Sequence, residues 1–230
     1  MTKELKAVLF DVDGTLVDTN YLHTVAWWEA FAQAGHTVPM ASIHRSIGMG
    51  SGRMLDALLP DDRDAGADED ITIAHAALYS VYWSRLQPLP GARQLLRACH
   101  DQGLRVVLAS SADPDELKVL CAALDADEAI DAATSSGDVD ASKPAPDLVQ
   151  VALDQAEADP AESLFIGDAV WDVRACQQAG VPCIGLLSGG SSRGELADAG
   201  AAAVYDGPAD LLDQFPGRLI QTQLRSATLW

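Results

Sequence analysis

The stretch Ala7-Val8-Leu9-Phe10-Asp11-Val12-Asp13-Gly14-Thr15 joins four apolar residues to two aspartates that are one residue apart. The apolar run predicts a buried strand, and alternation along extended backbone places Asp11 and Asp13 on the same side. Ligands of open α/β sheets bind beyond the carboxyl ends of the strands. Two acids there can hold a hard cation or divide into a nucleophile and an acid/base, although Asp-x-Asp-Gly also suits a plain turn.

The composition indicates an acidic globular protein of 230 residues, 48% of them hydrophobic. This length accommodates one large domain or a core domain with an insertion. The net charge of −19 argues against nucleic acid or an anionic membrane as a partner and favours solubility. No stretch is long and apolar enough to span a membrane, the start is unlike a signal peptide, and the four cysteines form no Cys-x-x-Cys pair. We therefore expect a cytoplasmic protein.

From Leu86 onward, short apolar runs alternate with helical patterns. The runs predict strands near 104–109, 129–134, 163–166, 182–187 and 201–205, and the patterns between them predict helices over 91–102, 114–124, 145–156, 171–179 and 209–214. Such repetition predicts an α/β fold, a Rossmann-like parallel sheet core with helices on both faces.

Residues 17–87 interrupt this alternation, because they predict helices over 21–34, 40–46, 52–59 and 69–85 and no strand. We expect an inserted α-helical cap domain at 17–87, an α/β core built from 1–16 and 88–215, and a C-terminal tail at 216–230. In the first cap helix, helical spacing predicts a buried face made of Tyr21, Val25, Trp28 and Ala32. Four other aromatic residues are expected in the core and not around a ligand: Trp27, Tyr79, Tyr82 and Trp83.

Polar residues follow other predicted strands as well. Ser110 and Ser111 follow the second strand, and Lys143 stands before a proline in Ser142-Lys143-Pro144-Ala145-Pro146-Asp147. Asp168 follows another apolar run, and Asp172 comes four residues later, about one helical turn on. Each of these residues alone also fits a plain role, as a turn serine, a surface lysine or an acid at a helix start.

The order of these four motifs, Asp-x-Asp-Gly-Thr, Ser, Lys and Gly-Asp-x-x-x-Asp, resembles the haloacid dehalogenase superfamily over nearly the whole chain. The helical insertion after the first motif looks like the type-one cap of that superfamily. Leu16-Val17-Asp18-Thr19 and residues 142–147 are similar to the branch of phosphoglycolate phosphatases and β-phosphoglucomutases.

The resemblance implies an Mg²⁺-dependent phosphatase that hydrolyses a small phosphate monoester through an aspartyl-phosphate. Asp11 would be the nucleophile, and Asp13 would protonate the leaving oxygen and then deprotonate the attacking water. Mg²⁺ would bind the Asp11 carboxylate, the Asp13 main-chain carbonyl and Asp168. The expected partner is a small phosphorylated metabolite, and the expected assembly is a monomer or a homodimer.

The resemblance also implies a phosphate-binding set. Lys143 would offset the charge of the phosphoryl group, and Ser110 would bind that group together with main-chain N–H groups of Val12 and Ser111. Thr15 and Asp172 are expected to support the metal ligands, with Asp172 either binding the metal through water or holding Lys143.

Three cap residues are candidates for substrate binding. His23 aligns with the histidine that follows the first motif in β-phosphoglucomutase-like caps, and it is otherwise a helix surface residue. Arg45 and Arg53 flank the loop Ile47-Gly48-Met49-Gly50-Ser51-Gly52, which is suited to close over the site. Either arginine can pair with a substrate carboxylate or second phosphate, or serve as a plain surface cation.

Two features separate the alternative activities. Asp13 favours phosphoryl transfer over dehalogenation, because a leaving halide needs no protonation. The cap has no lysine from residue 18 to 87, whereas the β-phosphoglucomutases and phosphonoacetaldehyde hydrolases depend on one, which leaves a phosphatase as the best interpretation. The alternatives are a sugar-phosphate mutase, a non-catalytic metabolite-binding regulator, and a phospho-acceptor receiver domain, which lacks so long an insertion.

Overall fold

A computed structural model describes residues 4–139 and 141–214. The sheet consists of β1 (Ala7–Phe10), β2 (Arg105–Ala109), β3 (Ala132–Thr134), β4 (Ser163–Gly167), β5 (Cys183–Leu186) and β6 (Ala203–Tyr205). Their spatial order is β3-β2-β1-β4-β5-β6, and every neighbouring pair is parallel. The predicted α/β fold is thereby confirmed. The strand order reverses between β1 and β4, so this is the point at which a crevice opens beyond the carboxyl ends of the strands.

Helices cover both faces of the sheet, as predicted. Four lie within residues 17–87: α1 (Asn20–Gln33), α2 (Met40–Ser46), α3 (Ser51–Leu58) and α4 (Asp68–Ser80). The others are α5 (Ala92–Asp101), α6 (Pro114–Leu124), α7 (Asp147–Ala156), α8 (Val170–Ala179), α9 (Arg193–Ala199) and α10 (Pro208–Gln214). One apolar layer joins the sheet to α5, α6 and α10, and the other joins it to α7, α8 and α9.

The position of β1 in the sheet explains its apolar sequence. All four of its residues are buried, since β2 and β4 flank it and helices cover both faces. Val8 and Phe10 belong to one apolar layer, and Ala7 and Leu9 belong to the other. A central parallel strand therefore reads as a continuous apolar run without polar alternation.

Local signals set the helix ends. Helix α6 begins after Asp113, whose carboxylate accepts hydrogen bonds from two main-chain N–H groups of the first turn. Helix α9 was not predicted, although its signals are present in the sequence. Ser192 and Glu195 form a capping box, and Gly200 ends the helix in the left-handed conformation.

Helices α1 to α4 have an apolar cluster of their own, which includes Trp27, Phe31, Ile43 and Met54. The two chain segments that connect them to the sheet pair with each other. The Asp18 N–H donates to the Gln87 carbonyl at 3.1 Å, and the Leu89 N–H donates to the Leu16 carbonyl at 2.8 Å. These bonds hold the insertion beside the end of β1. The exact domain boundaries stay a prediction.

The buried face of α1 differs from the prediction. Tyr21, Val25 and Trp28 are 62%, 40% and 42% exposed, and Ala32 is also exposed. The buried side of the helix instead consists of Asn20, His23, Thr24, Ala26, Trp27, Ala30 and Phe31. Both stripes have helical spacing, and packing against α4 decides between them in favour of the stripe that carries His23 and Trp27.

The other aromatic residues of the insertion are buried as predicted, since Trp27 and Tyr79 are buried and Tyr82 and Trp83 are partly buried against the core. Trp27 departs from the second half of the prediction, because it also lines a cavity between the insertion and the sheet. Among the residues that the structure describes, no helix has the length and apolar character needed to cross a membrane. The predicted tail at 216–230 lies outside the described residues.

Candidate active site

Asp11 is the first residue after β1, and it pairs with a buried lysine. Its Oδ1 lies 2.5 Å from Lys143 Nζ, which also lies 2.7 Å from Asp172 Oδ1 and donates to the Ala109 carbonyl at 3.2 Å. Burial opposes the charge of Lys143, but the Asp11 and Asp172 carboxylates raise the pKa of the ammonium above its ordinary value. Lys143 is therefore a buried cation between two of the predicted site residues, and Asp172 holds it there.

Asp168 follows β4 and is oriented through both of its oxygens. Thr15 Oγ1 donates to Oδ1 at 2.9 Å, and Asn20 Nδ2 donates to Oδ2 at 2.9 Å. The same Asn20 amide also donates to the Gly189 carbonyl at 3.1 Å. Thr15 thus lies where a supporting role was predicted, whereas Asn20 was not singled out.

The Asp11, Asp168 and Asp172 carboxylates each offer an oxygen within 4.8 Å of the other two. Burial and the Asp172 carboxylate raise the pKa of Asp168 to about 7. Burial also raises the pKa of Asp11, against the lowering effect of Lys143. Since three carboxylates share one ammonium, this cluster lacks positive charge. A hard cation such as Mg²⁺ prefers such oxygen ligands, so the donor set fits it.

Asp13 hydrogen-bonds through both oxygens. Its Oδ1 accepts from Thr19 Oγ1 at 2.7 Å and from His23 Nε2 at 3.3 Å, and its Oδ2 accepts from Ser110 Oγ at 3.4 Å. Burial disfavours the charged carboxylate, but the His23 and Thr19 hydrogen bonds lower the pKa of Asp13. These three hydrogen bonds orient the Asp13 carboxylate just beyond the carboxyl end of β1.

His23 is buried between two carboxylates and is not a surface residue of α1. Its Nε2 also lies 3.1 Å from Glu116 Oε1, at the start of α6. Burial lowers the basicity of the ring, but the Glu116 charge and the Asp13 hydrogen bond raise the pKa of His23 to about 10. The ring is therefore a cation at neutral pH, and it links α1 to the sheet domain.

The two serines after β2 have different surroundings. Ser110 is fully buried, and its Oγ donates to Asp13 and accepts the Ala112 N–H at 3.0 Å. Ser111 lines the central cavity, which lies between the insertion and the sheet, and its Oγ donates to the Gly48 carbonyl at 3.4 Å. Their role in holding phosphate stays a prediction.

A cavity of about 310 Å³ lies between the insertion and the sheet. Its polar lining includes Asp11, Asp13, His23, His75, Ser111, Asp113 and Glu116, and its apolar lining includes Trp27, Met54 and Leu148. The loop of residues 47–52 covers one side and lies directly on the sheet domain. At Gly48, whose φ is +94°, an added Cβ would lie 3.1 Å from the Ala169 Cβ. No arginine or lysine is among the described residues that line this cavity.

The structure does not bring the two predicted arginines to this cavity. Arg45 has a largely exposed side chain, lies 3.6 Å from Glu195 and faces a separate cleft that also contains Asp168. Arg53 is exposed on α3. The reason is geometric, since Arg45 lies in the last turn of α2, on the side that faces α9.

Sequence reasoning missed four residues that contact the site: Thr19, Asn20, His75 and Glu116. Thr19 and Asn20 come just after the first motif, so their position offered a signal. Glu116 had the appearance of an ordinary acid in the first turn of a helix, where it suits the dipole. For His75 the sequence offered no signal, because only the packing of α4 on α1 brings its Nε2 to 3.2 Å from His23 Nδ1.

With this geometry in hand, comparison with known proteins identifies the family. The family model of haloacid dehalogenase-like hydrolases matches residues 5–180, and the chain belongs to this family. This finding confirms the family and the enzyme class that were predicted.

Three similar proteins illustrate the relationship. The phosphoglycolate phosphatase of Rhodospirillum rubrum is 30% identical over 219 residues, which are 90% of this chain and 90% of that protein. The protein SUPPRESSOR OF QUENCHING 1, chloroplastic, of Arabidopsis thaliana is 30% identical over 88% of this chain, but the match spans 20% of that longer protein. The crystal structure of a hydrolase from Pseudomonas syringae has a TM-score of 0.87 and 37% identity, and it covers 91% of this chain and 97% of that one.

Proposed function

We propose that this protein is an Mg²⁺-dependent phosphatase that hydrolyses a small-molecule phosphate monoester through an aspartyl-phosphate on Asp11. The observation that carries the proposal is the buried Lys143, held between Asp11 and Asp172 at the carboxyl end of the sheet. A lysine at full burial is costly unless its charge is used. Here it offsets the repulsion between an anionic nucleophile and an anionic phosphoryl group.

The reaction has two steps. An Asp11 oxygen attacks phosphorus in line, and the bond from phosphorus to the ester oxygen breaks. Asp13, which enters this step in its protonated form, gives its proton to that leaving oxygen and becomes a carboxylate. Asp13 then takes a proton from water, which attacks the aspartyl-phosphate and releases inorganic phosphate while Asp11 is regenerated. The hydrogen bonds from Thr19, His23 and Ser110 orient the Asp13 carboxylate for both transfers.

The metal site would use oxygen ligands alone. The Asp11 carboxylate, the Asp13 main-chain carbonyl and Asp168 would hold Mg²⁺, which when bound supplies positive charge to the transferring group. Thr15 and Asn20 keep the two Asp168 oxygens in place for this role. Ser110, Lys143 and the main-chain N–H groups of Val12 and Ser111 would bind the phosphoryl oxygens.

The cavity favours a small substrate whose remainder is uncharged. Its size of about 310 Å³ is at the low end for ligand pockets. A substrate carboxylate needs a cationic partner, but neither Arg45 nor Arg53 lines the cavity. The His23 ring does line it, but it already contacts Asp13 and Glu116. Asp113 and Glu116 add negative charge to its wall. We therefore infer a neutral polar leaving group, such as a polyol or sugar, in preference to a carboxylate-bearing one such as glycolate.

The setting follows from the same reasoning. We infer a cytoplasmic enzyme, monomeric or homodimeric, whose partner is a small phosphorylated metabolite and not nucleic acid or a membrane. The net charge of −19 supports this inference, because it repels polyanionic surfaces.

A phosphate-release screen over many phosphomonoesters, with Mg²⁺ and with EDTA, tests the proposal. We expect turnover of neutral sugar or polyol phosphates that EDTA abolishes. Asp11→Asn should lower it by about 10³-fold or more, since the nucleophile is lost. The matched control is Asp18→Asn, which removes an exposed carboxylate nearby.

Each of the following results would support a different mechanism or function. Undiminished turnover in Asp11→Asn excludes the covalent mechanism, and turnover in EDTA excludes the metal. An aspartyl-phosphate that is long-lived and is returned to a sugar phosphate identifies a mutase. Tight metabolite binding with no phosphate release identifies a non-catalytic regulator.

A further inference from the structure

A second group of potential metal ligands lies beside the oxygen cluster. Asp13, His23 and Glu116 each offer one ligand atom, and these atoms all lie within 4.8 Å of one another. The His23 Nε2 is 3.3 Å from Asp13 Oδ1 and 3.1 Å from Glu116 Oε1. Four bonds of about 2.0–2.1 Å in a tetrahedron place neighbouring ligand atoms about 3.3 Å apart. The two distances from His23 Nε2 are close to this value, and the two carboxylates offer oxygens within 4.8 Å of each other.

Hydrogen bonding alone leaves this group incomplete. Nε2 carries at most one proton, and it is directed to Asp13, with which the hydrogen bond forms. Glu116 Oε1 is buried and accepts no hydrogen bond, so its contact with His23 Nε2 at 3.1 Å is an ion pair alone. One ion placed among the three side chains would displace the Nε2 proton and contact both carboxylates at once.

His75 prepares His23 to act as a ligand. Its Nε2 lies 3.2 Å from His23 Nδ1, and its ring is stacked on Trp27 at 4.0 Å between centroids. When His23 donates Nδ1–H to His75 Nε2, its Nε2 is the atom that faces the Asp13 and Glu116 carboxylates. Metal-bound histidines in proteins are oriented by such a partner on the other ring nitrogen.

The ligand types select the ion. One imidazole nitrogen with two carboxylate oxygens suits Zn²⁺ and similar transition ions, whereas Mg²⁺ prefers oxygen alone. All three residues line the central cavity, which gives an ion a path from solvent and room for water as a fourth ligand. We propose that Asp13, His23 and Glu116 form a Zn²⁺-type site, distinct from the oxygen cluster of Asp11, Asp168 and Asp172.

Occupation of this site would regulate the enzyme. An ion on the Asp13 carboxylate removes the group that protonates the leaving oxygen, so bound Zn²⁺ inhibits. This consequence rests on the proposed function, whereas binding itself does not. A fall in turnover at low Zn²⁺, with Mg²⁺ in excess, is the expected effect.

Equilibrium dialysis of the full chain with Zn²⁺, in a large excess of Mg²⁺ to fill the oxygen cluster, tests the site directly. We expect one Zn²⁺ per chain and a rise in melting temperature, because the ion binds the folded state. His23→Gln and Glu116→Gln should each weaken binding by about 100-fold or more, beyond the 10–100-fold typical of partners that only orient a ligand. His36→Gln, elsewhere on the insertion, is the matched control.

Co²⁺ in place of Zn²⁺ gives a second readout, since its visible spectrum reports tetrahedral coordination and an imidazole ligand. Absence of stoichiometric Zn²⁺ binding in the wild type would overturn the proposal. So would binding that is equally strong in His23→Gln and Glu116→Gln, provided that the melting temperature without metal shows both variants folded. Zn²⁺ binding without inhibition leaves the site in place and counts instead against the role of Asp13 in catalysis.

Discussion

Lys143 and Asp11 are 132 positions apart in the chain, yet the Lys143 ammonium lies 2.5 Å from the Asp11 carboxylate with no exposure to solvent. The pair joins the loop before α7 to the end of β1. The pair therefore matters for stability, because a buried ion that loses its partner is left without compensation.

Replacing the lysine should be costly for folding. In Lys143→Met, Asp11 and Asp172 face each other without a cation, and we expect a loss of about 3–5 kcal/mol in the free energy of unfolding. Urea denaturation measures it. Lys118→Met is the control, because Lys118 pairs with Asp115 on the surface, and no measurable change is expected there. Equal stability of the two variants would contradict the structural role of Lys143.

Asn20 should control the affinity for Mg²⁺. Its amide holds Asp168 Oδ2 and the Gly189 carbonyl, so Asn20→Ala frees the Asp168 side chain to rotate. Partners that orient a metal ligand are worth about 10–100-fold in metal affinity. Mg²⁺ titration of phosphatase activity should show a shift of that size in half-saturation, with maximal rate less affected. Gln33→Ala, on the exposed end of α1, should leave the titration unchanged.

A hydrogen bond between the insertion and the sheet domain should limit opening of the cavity. Trp171 Nε1, in α8, donates to the main-chain carbonyl of Arg45, in α2, at 3.0 Å. Trp171→Phe keeps an aromatic ring and removes the donor, at a cost of about 0.5–1.5 kcal/mol. Amide hydrogen exchange in α2 should become roughly 3–10-fold faster. Exchange that matches the wild type would show that this bond does not restrain α2, and Trp28→Phe serves as the control.

The two neighbouring tryptophans of α1 should differ sharply in their contribution to the free energy of unfolding. Trp27 is 4% exposed and stacks on His75, whereas Trp28 is 42% exposed. We expect Trp27→Ala to cost about 3–5 kcal/mol of unfolding free energy, and Trp28→Ala to cost less than about 1 kcal/mol. Thermal or urea unfolding of both variants measures the difference. A larger loss in Trp28→Ala than in Trp27→Ala would indicate that the buried face of α1 is the one that the apolar spacing predicted.

The sequence predicted which residues meet at the candidate active site. Polar residues that follow apolar runs must meet at one edge once the runs form a parallel sheet, so Asp11, Ser110 and Asp168 were placed together from strand order alone. Their expected proximity needs no knowledge of side-chain packing. Helix α9 could have been predicted as well, because the residues of its capping box are present in the sequence.

Other features depend on how α1 and α4 pack and how the insertion sits on the sheet domain. Two stripes of α1 have helical spacing, and only contact with α4 buries the one with His23 and Trp27. Arg45 and Arg53 flank a loop that covers the cavity, but the orientation of α2 and α3 turns both away from it.

By itself, then, the sequence determined the α/β fold, the helical insertion and the set of acids and lysine at the strand ends, since periodicity and chain order are local properties. Only the tertiary structure decided that His23 lies between Asp13 and Glu116 and that His75 contacts it. Those contacts join residues of α1, α4 and α6, which lie far apart in the chain. Their distances depend on how whole helices pack, which no short stretch of sequence specifies.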